Sequence, residues 1–150
     1  MIRRASMDSP LGPVTVVERD GVITALDWQA GFADASPVLD AARQQLAEYF
    51  ARSRTAFDLP LEFGTGFQGQ VRRAMAAIPY GETRRYGDLA REIGAPAQAI
   101  GQACGANPIP ILIPCHRVLA ANGLGGFSAR GGVESKVYLL KLEGAASLLI

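Results

Sequence analysis

The sequence predicts an α+β protein in which a small β-sheet and one helix precede a mostly helical second domain. Two β-rich runs flank Asp20-Gly21, a strong hairpin turn signal. Apolar residues recur at helical spacing after Ser36-Pro37 and again from Phe67 onwards. A glycine-rich stretch over 64–69 separates the two patterns, so we expect one domain over 1–65 and a second over 66–150.

In the first domain, strands are expected over 14–17 and 22–26, and a further short strand over 57–63. Ser36 suits the N-cap of a helix, and Pro37 suits its first turn because that position needs no amide donor. The helix should end near residue 51. Its apolar face is predicted to consist of Leu39, Ala42, Leu46, Tyr49 and Phe50.

The second domain is predicted to begin with a helix over 67–78. A short helix over 86–93 should end at Gly94, and another should run from 95 or 96 to about 105 or 106. Two short helices across a glycine turn suggest a helix-turn-helix, although many helical hairpins have no DNA role. Three prolines exclude helix over 107–114 and favour an extended path into Cys115, and a last helix is expected over 134–142.

Composition limits the chemistry that this chain can perform. Its 150 residues are 49% apolar, which supports a folded core, and no apolar run approaches a membrane span. Residues 1–10 lack the apolar stretch of a signal peptide, so we expect a cytoplasmic protein with no membrane partner. Two cysteines and one histidine are too few for a disulfide scaffold or a zinc site, so no metal is expected. What remains is a thiol, Cys115, beside His116, which is a candidate nucleophile pair.

Charge is unevenly distributed between the two predicted domains. The net charge of +1 divides into −3 over residues 1–65 and +4 over residues 66–150. A basic domain with two adjacent short helices is a modest indication of nucleic-acid binding. On charge alone, however, a solvated basic face is the favoured interpretation.

The second short helix is unusually smooth. It carries Ala97, Ala99 and Gly101, with Gln98 as a main polar side chain. A helix that recognises bases in the DNA major groove normally presents larger polar side chains to the base edges. The small residues therefore indicate either close approach to a narrow surface, such as the DNA minor groove, or tight packing inside the core. The sequence leaves these two interpretations about even.

Several motifs in order resemble one known family. They are SPLGP at 9–13, IPYGET at 78–83, YGDLA at 86–90, NP at 107–108, PCHRV at 114–118, GGFS at 125–128 and LLKLEG at 139–144. Together they resemble the O6-alkylguanine-DNA alkyltransferases, also called methylated-DNA–protein-cysteine methyltransferases, over nearly the whole chain. The resemblance implies a ribonuclease-H-like first domain and a second domain with a helix-turn-helix and the active site.

The resemblance also implies a function. Members of the family transfer the alkyl group of O6-alkylguanine in double-stranded DNA irreversibly to a cysteine. By the resemblance, we expect the protein to act as a monomer, to use no cofactor and to react once per molecule. It should bind the minor groove and flip the damaged base out of the duplex. O4-alkylthymine is a further candidate substrate. By this resemblance Cys115 is the nucleophile, and His116 takes its proton through a water. Glu143 orients His116, Asn107 fixes the turn behind the cysteine, and Tyr86 rotates the phosphate and donates to guanine N3.

Residues expected to contact the DNA or the base follow from the same resemblance. The backbone carbonyls of Cys115 and Val118 would accept hydrogen bonds from the exocyclic amine of the guanine, and Ser128 would donate one to its O6 atom. Gln98 stands where the family usually has an arginine, whose side chain fills the space left in the base stack when the damaged base is flipped out. Arg72 and Arg85 add positive charge that could partly offset the missing arginine. The full set of expected contacts is Gln98, Ala97, Ala99, Gly101, Arg85, Arg117, Val118 and Ser128.

An alternative function is a non-catalytic alkyltransferase-like protein that binds alkylated DNA and recruits other repair proteins. Such proteins lack the cysteine, so retained Cys115, His116, Asn107 and Glu143 favour the enzyme, whereas Gln98 is the main reason to keep the alternative. A general thiol protease or oxidoreductase has no support, because the chain has no CxxC motif and one histidine.

Overall fold

A computed structural model describes residues 1–127 and 131–145. The contacts within the chain divide it into two units, Met1–Glu62 and Phe63–Ile150. The first unit holds a three-stranded sheet and one helix, and the second is mostly helical, so the predicted α+β class is confirmed. Within the described ranges, no helix combines the length and apolarity that crossing a bilayer requires.

An antiparallel sheet forms the first unit, with strands β1 (Ile2–Met7), β2 (Val14–Arg19) and β3 (Val22–Asp27) in that order. The predicted hairpin between β2 and β3 is confirmed: Asp20 and Gly21 have φ angles of 50° and 88°, as a tight two-residue turn requires. The sequence pattern did not reveal β1. Half of its residues are polar, and Ala5 is the one side chain of the strand that is buried.

The short strand expected over 57–63 is wrong. A single parallel bridge joins Leu61 to Ile23, formed by Ile23 N donating to Pro60 O at 2.8 Å and Glu62 N donating to Ile23 O at 2.9 Å. Because Pro60 has no amide hydrogen, the ladder cannot extend from this bridge toward residue 58.

Helix α1 (Pro37–Phe50) covers one face of the sheet. Ser36 caps it as predicted, because its Oγ accepts a hydrogen bond from Leu39 N at 3.1 Å. The same hydroxyl donates to the Glu18 carboxylate at 2.5 Å, so the cap also ties the helix to β2. The buried face of the helix consists of Leu39, Ala42, Leu46 and Tyr49.

The second unit contains helices α2 (Gly66–Ala76), α3 (Tyr86–Ile93), α4 (Ala97–Gly105) and α5 (Val133–Leu142). Helix α3 ends at Gly94, whose φ of 82° reverses the chain, and Pro96 is the N-cap of α4. Helices α3 and α4 pack on each other and on α2. The predicted pair of short helices across a glycine turn is therefore present.

Two very short strands bring distant parts of this unit together. Strand β4 (Arg84–Arg85) immediately precedes α3, and β5 (Val118–Leu119) follows a 3-10 turn over Cys115–Arg117. The strands pair in parallel, with Arg84 opposite Val118 and Arg85 opposite Leu119. This pairing places the start of α3 beside the cysteine turn. Strands of two residues are too short for a sequence pattern to reveal.

The extended path expected over 107–114 is wrong, although the exclusion of a helix there is correct. The segment forms a compact turn in which Ile113 N donates to Ile109 O at 2.9 Å, and Ile111 adopts a left-handed φ of 72°. Pro110 and Leu112 are buried as well as Ile109, Ile111 and Ile113, whereas an extended segment with one exposed face would leave every second side chain in solvent. Burial of side chains at every position from 109 to 113 therefore outweighs the preference of the prolines for an extended chain.

The Ser36 cap gives a stability prediction. Replacing Ser36 with Ala removes the acceptor for Leu39 N and should lower the free energy of unfolding by about 1 kcal/mol. Urea denaturation followed by circular dichroism measures the change. Ser53→Ala is the control, because its hydroxyl bonds Glu48 O at the exposed end of the same helix and should matter much less. Equal losses in the two variants would contradict the capping role.

Candidate active site

Asn107 fixes the turn that leads into the cysteine. Its Nδ2 donates to Ile113 O at 2.9 Å, and its Oδ1 accepts from Ile109 N at 3.1 Å. One side chain therefore closes both ends of the turn that the prolines leave short of amide donors. These two hydrogen bonds hold the chain rigidly up to Cys115. Cys115 begins the 3-10 turn and is 8% exposed.

Cys115 lies on the wall of a cavity of about 330 Å³. Burial raises the pKa of its thiol, while a hydrogen bond from Asn107 and the charge of Lys136 act in the opposite direction. The resting thiol is therefore stored with its proton and needs a base to become a nucleophile. The residues lining this cavity are Tyr86, Gly101, Cys104, Gly105, Cys115, Gly126 and Phe127.

His116 and Glu143 form a buried pair beside the cysteine. His116 Nε2 lies 2.7 Å from Glu143 Oε2, and neither side chain is exposed. A carboxylate can only accept, so Nε2 carries the hydrogen and Nδ1 has a free electron pair. Within residues 1–127 and 131–145, no protein group bonds this buried Nδ1. Burial lowers the pKa of His116 despite the opposing effect of Glu143, so the ring is neutral and able to accept a proton.

Arg117 holds the other side of the same carboxylate. Its Nε donates to Glu143 Oε1 at 2.8 Å and its Nη2 to Oε2 at 3.0 Å, while Nη1 donates to Ile78 O at 2.7 Å. Burial alone would raise the pKa of Glu143, but His116 and Arg117 outweigh it and lower that pKa to about 2. Glu143 is thus an anion throughout the physiological range. Arg117 is buried, so its guanidinium is directed at this anion and not at a surface that DNA could reach.

Tyr86, at the start of α3, is half-buried at the edge of the cavity. Burial raises the pKa of its hydroxyl, so the group keeps its proton and can donate it. A Cβ on Gly125 would lie 2.8 Å from this hydroxyl, and Gly125 also has a φ of 73°. Glycine is therefore required at 125 for both the turn and the close approach.

Lys136 on α5 is a site residue that the sequence analysis missed. Its side chain is completely buried, and its Nζ donates to Val118 O at 2.7 Å and to Gly126 O at 3.2 Å. Burial lowers its pKa to about 8. The available signal was its position, since Lys136 shares the buried face of α5 with Leu139 and Leu140.

The remaining predicted contacts lie on α4 and the segments near it. Ala97 and Gln98 are exposed, and Ala99 and Gly101 are partly exposed, whereas Ile100, Ala103 and Cys104 form the buried face of the helix. The small residues on the outer side are therefore available to another surface. The buried placement of Cys104 agrees with a small apolar role, and burial raises its pKa to about 12.

Arg85 and the Val118 carbonyl, both predicted contacts, have partners within the protein. Arg85 Nη1 donates to Ala120 O at 2.6 Å and to Ala121 O at 2.8 Å, so this nitrogen is engaged within the protein. The Val118 carbonyl faces Lys136, although a carbonyl oxygen has a second lone pair for another donor. Ser128 lies outside the described residues. Among those described, no group of three or more His, Cys, Asp and Glu side chains could hold a metal ion.

The fold and site together define a class of protein: an α+β chain with a helix-turn-helix and a buried cysteine backed by a histidine–glutamate pair. Residues 2–63 match the ribonuclease-like domain, and residues 66–145 the DNA binding domain, of 6-O-methylguanine DNA methyltransferase. The chain belongs to this family, which confirms the resemblance seen in its motifs.

Named relatives cover almost the whole chain. It is 44% identical to the methylated-DNA–protein-cysteine methyltransferase of Mycolicibacterium paratuberculosis, over 95% of this chain and 93% of that protein. It is 40% identical to the constitutive enzyme of that name from Bacillus subtilis, over 91% of this chain and 92% of that protein. The solved Mycobacterium tuberculosis O6-methylguanine methyltransferase superimposes with a TM-score of 0.84 at 41% identity, covering 97% of this chain and 94% of that one. The complex of the M. tuberculosis protein OGT with DNA gives the same score at 42% identity, covering 95% and 93%.

The Arg117–Glu143 pair gives a second stability prediction. Arg117→Met leaves Glu143 with its charge buried and only His116 opposite, so the free energy of unfolding should fall by about 3 kcal/mol or more. Urea denaturation of the intact chain measures the loss. Arg91→Met removes an ion pair whose arginine is 76% exposed, and it should cost less than about 0.5 kcal/mol. Similar losses in both variants would contradict the buried pair's importance.

Glu143 also predicts how stability depends on pH. Its folded pKa of about 2 lies below the ordinary 4.5, so the stabilisation that it supplies is present above 4.5 and disappears as the pH falls toward 2. Glu143→Gln should be less stable than the wild type at pH 7 but lose less stability across this window. Thermal unfolding from pH 6 to pH 2 measures both slopes. Glu134→Gln, an exposed change on the same helix, is the control and should keep the wild-type slope.

Proposed function

We propose that this protein repairs DNA by transferring the alkyl group of O6-alkylguanine to Cys115. The observation that carries the proposal is the buried Cys115 on the wall of a cavity, next in the chain to a His116–Glu143 pair. Family membership supports the reaction class, because the relatives compared above carry the name methylated-DNA–protein-cysteine methyltransferase.

The first step is removal of the thiol proton. Because burial holds the proton on Cys115, the neutral His116 ring accepts it at Nδ1 through a bridging water. The imidazolium that forms is stabilised by Glu143, which is already ionised and bonded to Nε2. Asn107 keeps the turn, and with it the sulfur, in place during this transfer.

The second step is displacement at the alkyl carbon. The Cys115 thiolate forms an S–C bond, the bond from that carbon to O6 breaks, and its electron pair stays on the guanine. Tyr86, which keeps its proton, donates it to guanine N3 and is reprotonated by the proton that left the thiol. The net change is thiol plus O6-alkylguanine to thioether plus guanine, with no cofactor. A thioether has no route back to the thiol here, so each molecule acts once.

The alkylated base must leave the DNA duplex to reach the Cys115 thiol. Cys115 is 8% exposed and the cavity is lined by protein, so a base stacked in a duplex cannot reach the sulfur. The outer side of α4, with Ala97, Ala99 and Gly101, is smooth enough to enter the minor groove. Exposed Gln98 would then occupy the position that the base vacates.

Other DNA contacts follow from the placement of the remaining residues. The Cys115 and Val118 carbonyls lie at the cysteine turn and would accept from the exocyclic amine, and Ser128 would donate to O6. We assign Arg117 to holding Glu143 and Arg85 to holding the Ala120–Ala121 loop. The transfer is proposed for a monomer, and O4-alkylthymine is a second candidate substrate.

The test is the intact mass of the protein after incubation with a duplex containing O6-methylguanine. We expect a gain equal to one methylene group, because a methyl replaces the thiol hydrogen, and peptide mapping should locate it at Cys115. Unmodified duplex and Cys115→Ser should give no gain. Tight binding of the methylated duplex without any change in mass would reject the transfer in favour of a non-catalytic binder. An O4-methylthymine duplex tests the second substrate.

Gln98 gives a further arm of the same assay. If glutamine is a weaker stacking partner than arginine, Gln98→Arg should speed the transfer from duplex DNA but leave the reaction with the free O6-alkylguanine base unchanged. Comparing the two substrates separates flipping from chemistry. Equal rates on the duplex before and after the change would show that position 98 does not limit flipping.

A further inference from the structure

Lys136 is an unusual residue for a protein interior. The chain contains thirteen arginines and two lysines, and one of these lysines has no exposed surface. Fully buried lysines are rare unless an anion lies opposite them, because removing the ammonium from water is costly. Within residues 1–127 and 131–145, no carboxylate forms an ion pair with Lys136.

The partners of Lys136 are main-chain carbonyls on two different segments. One is Val118 O, at the end of the cysteine turn, and the other is Gly126 O, on the segment that lines the cavity. The ammonium therefore links two sides of the site. Two carbonyl dipoles satisfy some of its donors but supply no net negative charge.

The titratable groups around Lys136 identify the missing anion. Cys115 and Cys104 are the thiols whose ionisation interacts with it, and His116 is destabilised as a cation by its charge. Tyr86 lines the same cavity and keeps its proton. Cys104, with a pKa of about 12, stays a thiol. The group that becomes an anion during the proposed reaction is Cys115.

We propose that Lys136 is a positioning residue of the alkyl-transfer site: its buried ammonium clamps the Gly126 segment to the cysteine turn and is the counter-charge for the Cys115 thiolate. This inference rests on the proposed function. Before transfer, the charge favours loss of the thiol proton. After transfer, the thioether cannot ionise, so no thiolate can form opposite the ammonium and the ammonium of the used protein gives up its proton more readily as the pH rises.

The first test measures the reactivity of Cys115 without DNA. Iodoacetamide alkylates the thiolate, so its rate against pH reports the ionisation of Cys115, with peptide mapping to separate this thiol from Cys104. Lys136→Met should move the profile to higher pH and slow the reaction at pH 7 about tenfold, the effect of one pKa unit. Lys136→Arg keeps the charge and should restore most of the rate. Lys141→Met, an exposed lysine on the same helix, should reproduce the wild-type profile.

A purely structural role for Lys136 predicts a different result. In that case Lys136→Met lowers the melting temperature but leaves the pH profile of Cys115 alkylation unchanged, and this outcome overturns the proposal. The assay contains no methylated DNA, so it gives an answer whether or not the chain repairs DNA. Failure of the proposed function would instead appear in the mass measurement with the O6-methylguanine duplex.

A second measurement uses the wild-type chain in case Lys136→Met does not fold. With two lysines in the sequence, a protein carrying isotope-labelled lysine gives two side-chain signals, and exposed Lys141 serves as the internal reference. Carbamidomethylation of Cys115 by iodoacetamide replaces the thiol with a neutral thioether, so no thiolate can form beside Lys136 as the pH is raised. The titration midpoint of Lys136 should then move to lower pH while that of Lys141 stays in place. An unchanged midpoint for Lys136 would contradict the counter-charge.

Discussion

The Glu143 carboxylate is the constraint on which the active site depends. It is fully buried, and both of its oxygens are bonded, to His116 on one side and Arg117 on the other. An unpaired carboxylate in this position would be too costly to keep ionised. The adjacent residues of one 3-10 turn therefore have different partners on this carboxylate: Arg117 keeps Glu143 charged, and in the proposed reaction that charge would stabilise His116 once it accepts a proton.

Burial keeps the proposed nucleophile, Cys115, in its protonated form. Its proton limits its reaction with other electrophiles, and the His116 ring is already bonded to Glu143 in the protein without substrate. The neighbouring cation, Lys136, acts in the opposite direction and lowers the cost of forming the thiolate. The pKa of Cys115 is therefore set by its own burial, by Lys136 on α5 and by Asn107 in the preceding turn.

Much of this organisation could be predicted from the sequence. The hairpin at Asp20-Gly21, the cap at Ser36 and the glycine end of α3 depend on local chemistry, and each is present. The β1 strand and the turn over 107–114 were not predicted correctly. For β1 the strand is stabilised by pairing with β2 and not by its own composition. For the turn, the burial of successive side chains over 109–113 decides the conformation. Sequence patterns report local preference, so they fail where distant contacts dominate.

The sequence by itself determined the family and pointed to the residues proposed to react, because motifs such as PCHRV carry the side chains that the proposed chemistry needs. The tertiary structure decided which partner each of those side chains has. It directed Arg117 toward Glu143, engaged Arg85 with the Ala120–Ala121 loop, and placed Lys136 beside the cysteine turn. The physical reason is that the partner of a charged side chain depends on burial and distance. These are set by residues far away in the chain, as in the parallel pairing of β4 with β5.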